Sequence, residues 1–363
     1  MSKKYDLIVI GAGPAGSSCA ALCAAEDKSV LMLDSSRFPR DKVCGDCLNP
    51  AAWPVLEHLG VAEKVQSLPH STPKFIRFSV ADKGSVMIPL PKSTAEISGE
   101  FVVRRREFDA LLLENAINAG VEFQDGSPVT SLRKTRGLWE VNNALGQIRH
   151  ARQIVAADGR NSAVARHLRM HLRQAHKERV GLQTHIPHPE NYDGNLEMRL
   201  YRNGYGGLAD LGNGLANLCL VANEGRMRDL RKEAEVHYPV STAIVWRSIT
   251  PIARSQARSV ARDGVFLCGD AAKVVEPFTG EGISFALRSG ELLARILTSS
   301  ADASPDTMEK NYRKAHTKLY AGSLGVNRLT QFFSEHPQIA HWFGPLLIRH
   351  PNLLSYLTHK VIF

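Results

Sequence analysis

The sequence predicts an α/β fold: a parallel-sheet domain interrupted by an antiparallel-sheet domain and followed by a helical C-terminal region. Three observations carry the prediction. The chain opens on an apolar run, Leu7 to Ile10, that feeds directly into Gly11, Gly13 and Gly16. Two later runs, ending at Asp158-Gly159 and Gly269-Asp270, repeat a strand that stops on an acid–glycine pair. Residues 173–255 carry alternating runs with few helix signals, the pattern of an antiparallel sheet.

The first unit is the most specific. After the glycines a small-residue run, Ser17 to Ala25, predicts a helix, and Val30 to Leu33 predicts a second strand ending on Asp34. Strand, Gly loop, helix, strand and acid form the pattern of a dinucleotide site. Gly11 permits the tight turn, Gly13 lets the backbone approach a pyrophosphate at the helix N-terminus, and Gly16 lets helix and strand pack closely. Asp34 follows Gly16 by eighteen residues, near the spacing of a ribose-binding acid. A glycine motif this near the start leads us to expect no signal peptide.

Further along, Phe75–Val80 and Ser85–Ile88 read as strands of a different layer. Residues 106–118 have helical spacing and stop at Gly120, with the basic cluster Arg104–Arg106 at the helix start. Val121–Phe123, Trp139–Val141 and Gln153–Ala157 read as strands, as do Glu197–Tyr201, Gly206–Ala209, Leu215–Val221 and Asp263–Cys268. A long helix is predicted from Ile283 to Thr298. Residues 305–363 read as helical, with breaks at Gly322, Gly325 and Gly344.

Composition bounds the function. The 363 residues are 44% hydrophobic and 22% charged, with a net charge of +9 and a pI of about 9.3. Such a surface suits an anionic cofactor, an acidic partner or an anionic membrane face, or is simply dispersed charge. No nucleic-acid-binding motif is visible, so no nucleic-acid partner is expected. The six cysteines are scattered and do not form a secreted disulfide framework. Cys19, Cys23, Cys219 and Cys268 sit in apolar contexts and read as core residues. No apolar run approaches the roughly 20 residues needed to span a bilayer, and a cytoplasmic protein is expected. His70, His150, His167, His171, His176, His185 and His188 show no metal-ligand or triad spacing, and no metal site is expected.

In the second motif, Val155-Ala-Ala-Asp158-Gly159 leads into a turn and a helix capped by Asn161 or Ser162. In the third, Gly269-Asp270 is followed by the Gly-rich loop Pro277-Phe-Thr-Gly280-Glu281-Gly282, which enters a helix at Gly282. The three motifs in this order resemble the FAD-dependent flavoprotein hydroxylases, the group of aromatic hydroxylases, geranylgeranyl reductases and flavin-dependent halogenases. The resemblance spans residues 6–286.

It implies a discontinuous Rossmann-like FAD-binding domain (1–67, 101–172 and 256–300), a substrate-binding sheet domain (68–100 and 173–255) and a helical C-terminal region (301–363). It also implies roles. Gly11, Gly13 and Gly16, with Pro14 and Ala15, would hold the pyrophosphate, and Asp34 with Ser35 the adenosine ribose. Arg105, with Arg40 nearby, would approach the FAD backbone. Asp158-Gly159 would support the nucleotide, and Gly269-Asp270 the ribityl chain. Pro277, Gly280, Glu281, Gly282 and Ile283 would line the isoalloxazine, facing Cys44 and Gly45.

Lys42-Val-Cys44-Gly45-Asp46-Cys47-Leu48 resembles the reductase branch's KxCGGGL element, with Asp46 and Cys47 in place of its later glycines. Thr279–Ile283 is similar to that branch too. Gly204-Tyr205-Gly206-Gly207 matches the start of its GYGWxFP strand but lacks the Trp, Phe and Pro. The Trp-x-Trp-x-Ile-Pro element of the halogenases is absent.

Cys44 and Cys47 admit three readings: incidental thiols on a Gly-shaped loop, Cys44 as proton donor or substrate contact with a pKa lowered by Arg40 and Lys42, or a redox disulfide. Tyr201 and Tyr205 are candidate substrate contacts, and Tyr205 a candidate catalytic residue, with packing expected for at least one of them. The C-terminal mix of apolar and basic residues reads as a docked core helix, a cover over a lipophilic pocket or a peripheral membrane contact.

The leading expectation is a monooxygenase hydroxylating a lipophilic or aromatic small molecule, free or carrier-bound, through a flavin hydroperoxide, with NAD(P)H as transient electron donor. The alternative is reduction of a carbon–carbon double bond with Cys44 as acid. A second alternative is a flavoprotein that binds or modifies another protein.

Overall fold

The computed structural model describes residues 3–90, 100–170, 172–174, 179–238, 240, 244–249, 252, 255–299, 304–321 and 324–362. Gly322, His171 and His176 lie outside these, as do residues 91–99. Along the chain, β1 (Lys4–Ile10), α1 (Pro14–Ala25) and β2 (Val30–Leu33) form the first unit. Next come β3 (Cys47–Leu48), β4 (Phe75–Val80), β5 (Ser85–Pro89), β6 (Phe101–Val103) and α2 (Arg105–Asn118). They lead to β7 (Glu122–Gln124), β8 (Val129–Thr135), β9 (Leu138–Asn143) and β10 (Ile148–Ala156). A second run of strands contains β11 (Arg179–Pro187), β12 (Leu196–Leu200), β13 (Gly204–Asp210) and β14 (Leu215–Asn223). After it come α3 (Met227–Glu235), β15 (Arg247–Ile249) and β16 (Val265–Leu267). The chain ends in helices α4 (Gly282–Thr298), α5 (Pro305–Leu319), α6 (Leu324–Glu335), α7 (Pro337–Ile348) and α8 (Pro351–Ile362).

Five strands pair in parallel in the order β16-β10-β1-β2-β7, and the β8–β9 hairpin adds to β10. Their near-continuous apolar runs reflect burial on both faces: Val30 to Leu33 is buried throughout. The second sheet runs β15-β11-β14-β13-β12-β4-β5. It is antiparallel except where β12 runs alongside β4. A small third sheet pairs β3 with β6.

Helix α1 is built of small residues because α4 lies against it. A Cβ on Gly290 would come within 2.4 Å of the Ala15 carbonyl oxygen, so only glycine allows that approach. Helix α2 ends where Gly120 turns with φ +101°, as expected.

The structure corrects three expectations. Helix α3 lies inside 173–255. Of its nine residues only Leu230 and Ala234 are buried, so its helical period is masked by charge. Gly344 does not break a helix; it lies inside α7 against Val80, whose Cγ2 would sit 2.5 Å from a Cβ. Gly325 falls within α6, and it is Pro337 and Pro351 that start new helices. Cys219 is only half-buried and faces the main cavity, whereas Cys19, Cys23 and Cys268 are core residues.

Candidate active site

The cleft begins where β1 and β10 end side by side. Gly11 has φ +104°, and a Cβ there would lie 2.3 Å from the Ala157 carbonyl oxygen. Gly16 sits behind it, its Cβ position 1.9 Å from the Gly11 oxygen. Both glycines serve close backbone approach. Gly13 differs, because its Cβ position meets only Arg40 Nη2, at 3.5 Å. It caps α1 on the cleft side, and the first turn of α1 carries no acid. A helix N-terminus with free N–H groups and no competing carboxylate favours a bound anion.

Asp34, buried at the end of β2, accepts 2.8 Å hydrogen bonds from the Ala12 N–H and the Ser36 N–H. Asp158 accepts from the Val164 N–H at 3.1 Å, and Ser162 caps the following turn through the Ala165 N–H at 2.9 Å.

The cleft is electropositive. Arg105 makes a two-pronged contact with the buried Asp109 (2.7 and 2.8 Å), and Arg40 shares that carboxylate at 3.1 Å. Burial, and then repulsion from Arg105 and Arg40, push the Lys42 ammonium below its ordinary pKa. Arg160 has two buried nitrogens, Nε and Nη1, without hydrogen-bond partners among the described residues, and its Nη2 stands 3.8 Å from Asp270. Orphaned guanidinium nitrogens and a lysine crowded by Arg105 and Arg40 fit a cofactor that brings phosphates. Arg160 was not anticipated, although its position directly after Asp158-Gly159 was a usable signal.

The Cys44 loop closes one side. Asp46 has φ +60°, the conformation for which the related element has glycine. Its carboxylate accepts from Asn217 Nδ2 (2.8 Å) and the Arg105 N–H (3.2 Å), with His185 Nε2 at 3.6 Å. Asn217 also donates to the Cys44 carbonyl at 2.8 Å, and Cys219 Sγ does so at 3.3 Å. Burial pushes the Cys44 thiol up rather than down, against the lowering expected from its basic neighbours, even with Arg105 beside it. Cys44 and Cys47 are both free thiols.

Opposite lies the loop Pro277–Glu281, which turns at Gly280 with φ +70°. Glu276, at its base, is fully buried and pairs with Arg179 at 2.7 and 2.9 Å, while Arg179 also reaches Ser334 Oγ at 2.8 Å. Tyr205 packs edge-on to Phe278 (ring centroids 5.1 Å apart), its hydroxyl buried without a partner among the described residues. Tyr201 packs on the other side of the sheet, in the core with Leu208 and Leu230.

These walls enclose one cavity of about 1430 Å³, above the roughly 300–1,000 Å³ of ordinary ligand pockets. Every anticipated site residue lines it except Gly16, Tyr201 and Glu281. Away from the glycine turn it becomes an apolar arm walled by Phe78, Ile88, Met198 and Leu200 and closed by Leu354 and Leu357 of α8. Among the described residues no group of three or more His, Cys, Asp or Glu is placed to hold a metal ion.

Fold and cleft together define an α/β dinucleotide-binding protein. The chain belongs to the FAD binding domain family, whose model matches residues 4–188 and 222–318. It is an FAD-dependent oxidoreductase. It is 28% identical to a menaquinone reductase of Mycolicibacterium smegmatis over 98% of this chain and 90% of that protein. It is also 28% identical to digeranylgeranylglycerophospholipid reductase 1 of Methanococcoides burtonii, over 90% of this chain and 81% of that one. Among solved structures, the flavin-dependent brominase Bmp2 superposes with a TM-score of 0.80 at 19% identity, covering 99% of this chain and 94% of that one. That similarity shows the fold.

Proposed function

We propose that this protein reduces a carbon–carbon double bond in the long chain of an isoprenoid lipid, with NADH or NADPH as transient electron donor. The observation that carries the reading is the apolar arm, whose lining joins the Cys44 loop and Tyr205 to the leucines of α8 and whose apolar side chains suit a hydrocarbon. The two reductases named above act, by their names, on menaquinone and on a digeranylgeranyl glycerophospholipid, and likeness to them favours this alternative over hydroxylation.

Bound FAD supplies hydride-transfer chemistry at its flavin ring. In this reading the Gly11–Gly13 turn, the α1 N-terminus and Arg40 hold the pyrophosphate, with Asp34 and Ser35 at the ribose. Asp158, Gly159, Asp270 and Arg160 support the central part of the cofactor. Pro277 to Ile283 and the Cys44–Gly45 loop border the flavin ring. Tyr205 and Cys44 touch the substrate, and the raised thiol pKa keeps the Cys44 proton on at neutral pH.

The lipid is proposed to arrive from a membrane surface. From His336 to Phe363 the chain has no Asp or Glu. Trp342 is 80% exposed, with Phe343 and Leu346 beside it on α7 and Leu353 and Tyr356 exposed on α8. Arg349 and Lys360 supply positive charge, and Leu353 also lines the cavity. Exposed aromatic and leucine side chains among cations suit an anionic bilayer interface. Among the described residues no helix is long and apolar enough to cross a membrane.

The test is anaerobic turnover of the chemically reduced holoenzyme with menaquinone or a geranylgeranyl phospholipid, followed by mass spectrometry. A product still heavier by two hydrogens after any quinol has been reoxidised in air supports the reading. A product that appears only with O2 and gains an oxygen atom returns the protein to the hydroxylases.

A further inference from the structure

We propose that Glu100 is the proton donor of this reduction, an assignment that rests on the reductase reading above. Glu100 immediately precedes β6, whose pairing with β3 holds it next to the Cys44–Cys47 loop. It lines the main cavity and is only 5% exposed. Its Oε2 is buried without a hydrogen-bond partner, and among the described residues no ion pair neutralises it. The charged group that acts on it is another carboxylate, Glu281, at the entrance of α4 beyond the flavin-side loop, and the Cys47 thiol also feels it.

A buried acid with no cation and an orphaned oxygen is costly for the fold unless it stays protonated. Burial, and then Glu281, push Glu100 up to about 8, so it carries its proton at neutral pH. The protein thus places a neutral carboxylic acid on the wall of a largely apolar cavity, its Oε2 without a hydrogen-bond partner among the described residues. Cys44 is less suited, since its thiol already faces Arg105.

Saturating an alkene requires two electrons and two hydrogens. One alkene carbon receives hydride from the reduced flavin and the other receives the proton from the Glu100 carboxyl. The π bond breaks, two C–H bonds form, and the flavin is oxidised by two electrons. The Glu100 carboxylate that remains regains a proton from water before the next cycle. General acids of this kind contribute roughly 100- to 10,000-fold to rate and work best with a pKa near the working pH.

The experiment compares wild type and Glu100→Gln as holoenzymes. Infrared spectroscopy across a pH series reads the carboxylic-acid carbonyl band. We expect a band present at pH 7 in wild type, lost on raising the pH through about 8, and missing from Glu100→Gln. Flavin binding by that variant should match wild type, while single-turnover alkene reduction slows by roughly 100-fold or more. Glu100 ionised at pH 7, or Glu100→Gln reducing substrate at the wild-type rate, overturns the assignment. If wild type itself reduces no isoprenoid lipid, the reductase reading falls and this role falls with it; active wild type with active Glu100→Gln removes this role alone.

Discussion

Asn217 Nδ2 donates a 2.8 Å hydrogen bond to Asp46 Oδ2, tying the cysteine loop after β2 to β14 of the antiparallel sheet. The two residues are 171 apart in sequence. Through this bond a left-handed aspartate is held where the related element has glycine, and the loop is fixed against the cavity. Asp46→Ala should destabilise the protein by roughly 1–2 kcal/mol more than Asp46→Gly, because only alanine adds the steric cost of positive φ. Urea unfolding of the two variants measures the difference; equal losses would mean the hydrogen bonds alone hold the turn.

Asn217→Leu removes the donor and leaves the buried Asp46 carboxylate and the Cys44 carbonyl short of a partner. A loss of about 1–3 kcal/mol is expected, with weaker FAD retention on gel filtration.

Gly290 sets how closely α4 approaches α1, whose N-terminus faces the cleft. A Cβ there would lie 2.3 Å from Ser18 Oγ and 2.4 Å from the Ala15 oxygen, a backbone atom that cannot swing away. Gly290→Val should cost about 1–3 kcal/mol or more and lower the bound flavin content, read by calorimetry and flavin absorbance.

Arg179 and Glu276 form a fully buried pair at the base of the flavin-side loop. Arg179→Met strands the Glu276 carboxylate and should cost about 3–5 kcal/mol. The double variant Arg179→Met/Glu276→Leu should recover much of that stability, since an apolar replacement removes both desolvation costs. Thermal unfolding of both variants checks this.

Stability should depend on pH through Glu100. Its folded pKa, about 8, lies above the ordinary 4.5. The contribution is therefore fully present below about 4.5 and is lost as pH rises through about 8. At roughly 1.4 kcal/mol per unit, wild type should lose a few kcal/mol relative to Glu100→Gln across that window. A constant difference between the two proteins in urea titrations at pH 5, 7 and 9 would contradict this.

The C-terminal face should bind anionic vesicles. Replacing Trp342, Phe343 and Leu346 with serine should abolish co-flotation with phosphatidylglycerol vesicles and leave the fold intact, because these side chains are exposed. Undiminished flotation would place the contact elsewhere.

Local rules made much of the molecule legible. The spacing of Gly11, Gly13, Gly16 and Asp34 is dictated by one βαβ unit, so it appears in the sequence as a contiguous pattern. Strands such as β4 and helices such as α4 announce themselves by the same short-range periodicity. The cavity lining then gathered nearly all of the anticipated residues, because each strand-end loop of a parallel sheet opens on the same edge.

Other features depend on contacts between distant segments. That Glu100 is buried beside Glu281, that Asn217 holds Asp46, and that Arg179 meets Glu276 cannot be read from any window of sequence, since the residues of each pair stand 97 or more positions apart. The direction of the Cys44 shift was misjudged for the same reason. Its basic neighbours are written along the chain, whereas the burial that outweighs them is created only when the antiparallel sheet covers the loop. The sequence alone determined the class of cofactor and the parallel sheet that carries it, because those follow from local backbone geometry. Only the tertiary structure decided which acids keep their protons and where the apolar arm leads, because desolvation is a property of the packed whole.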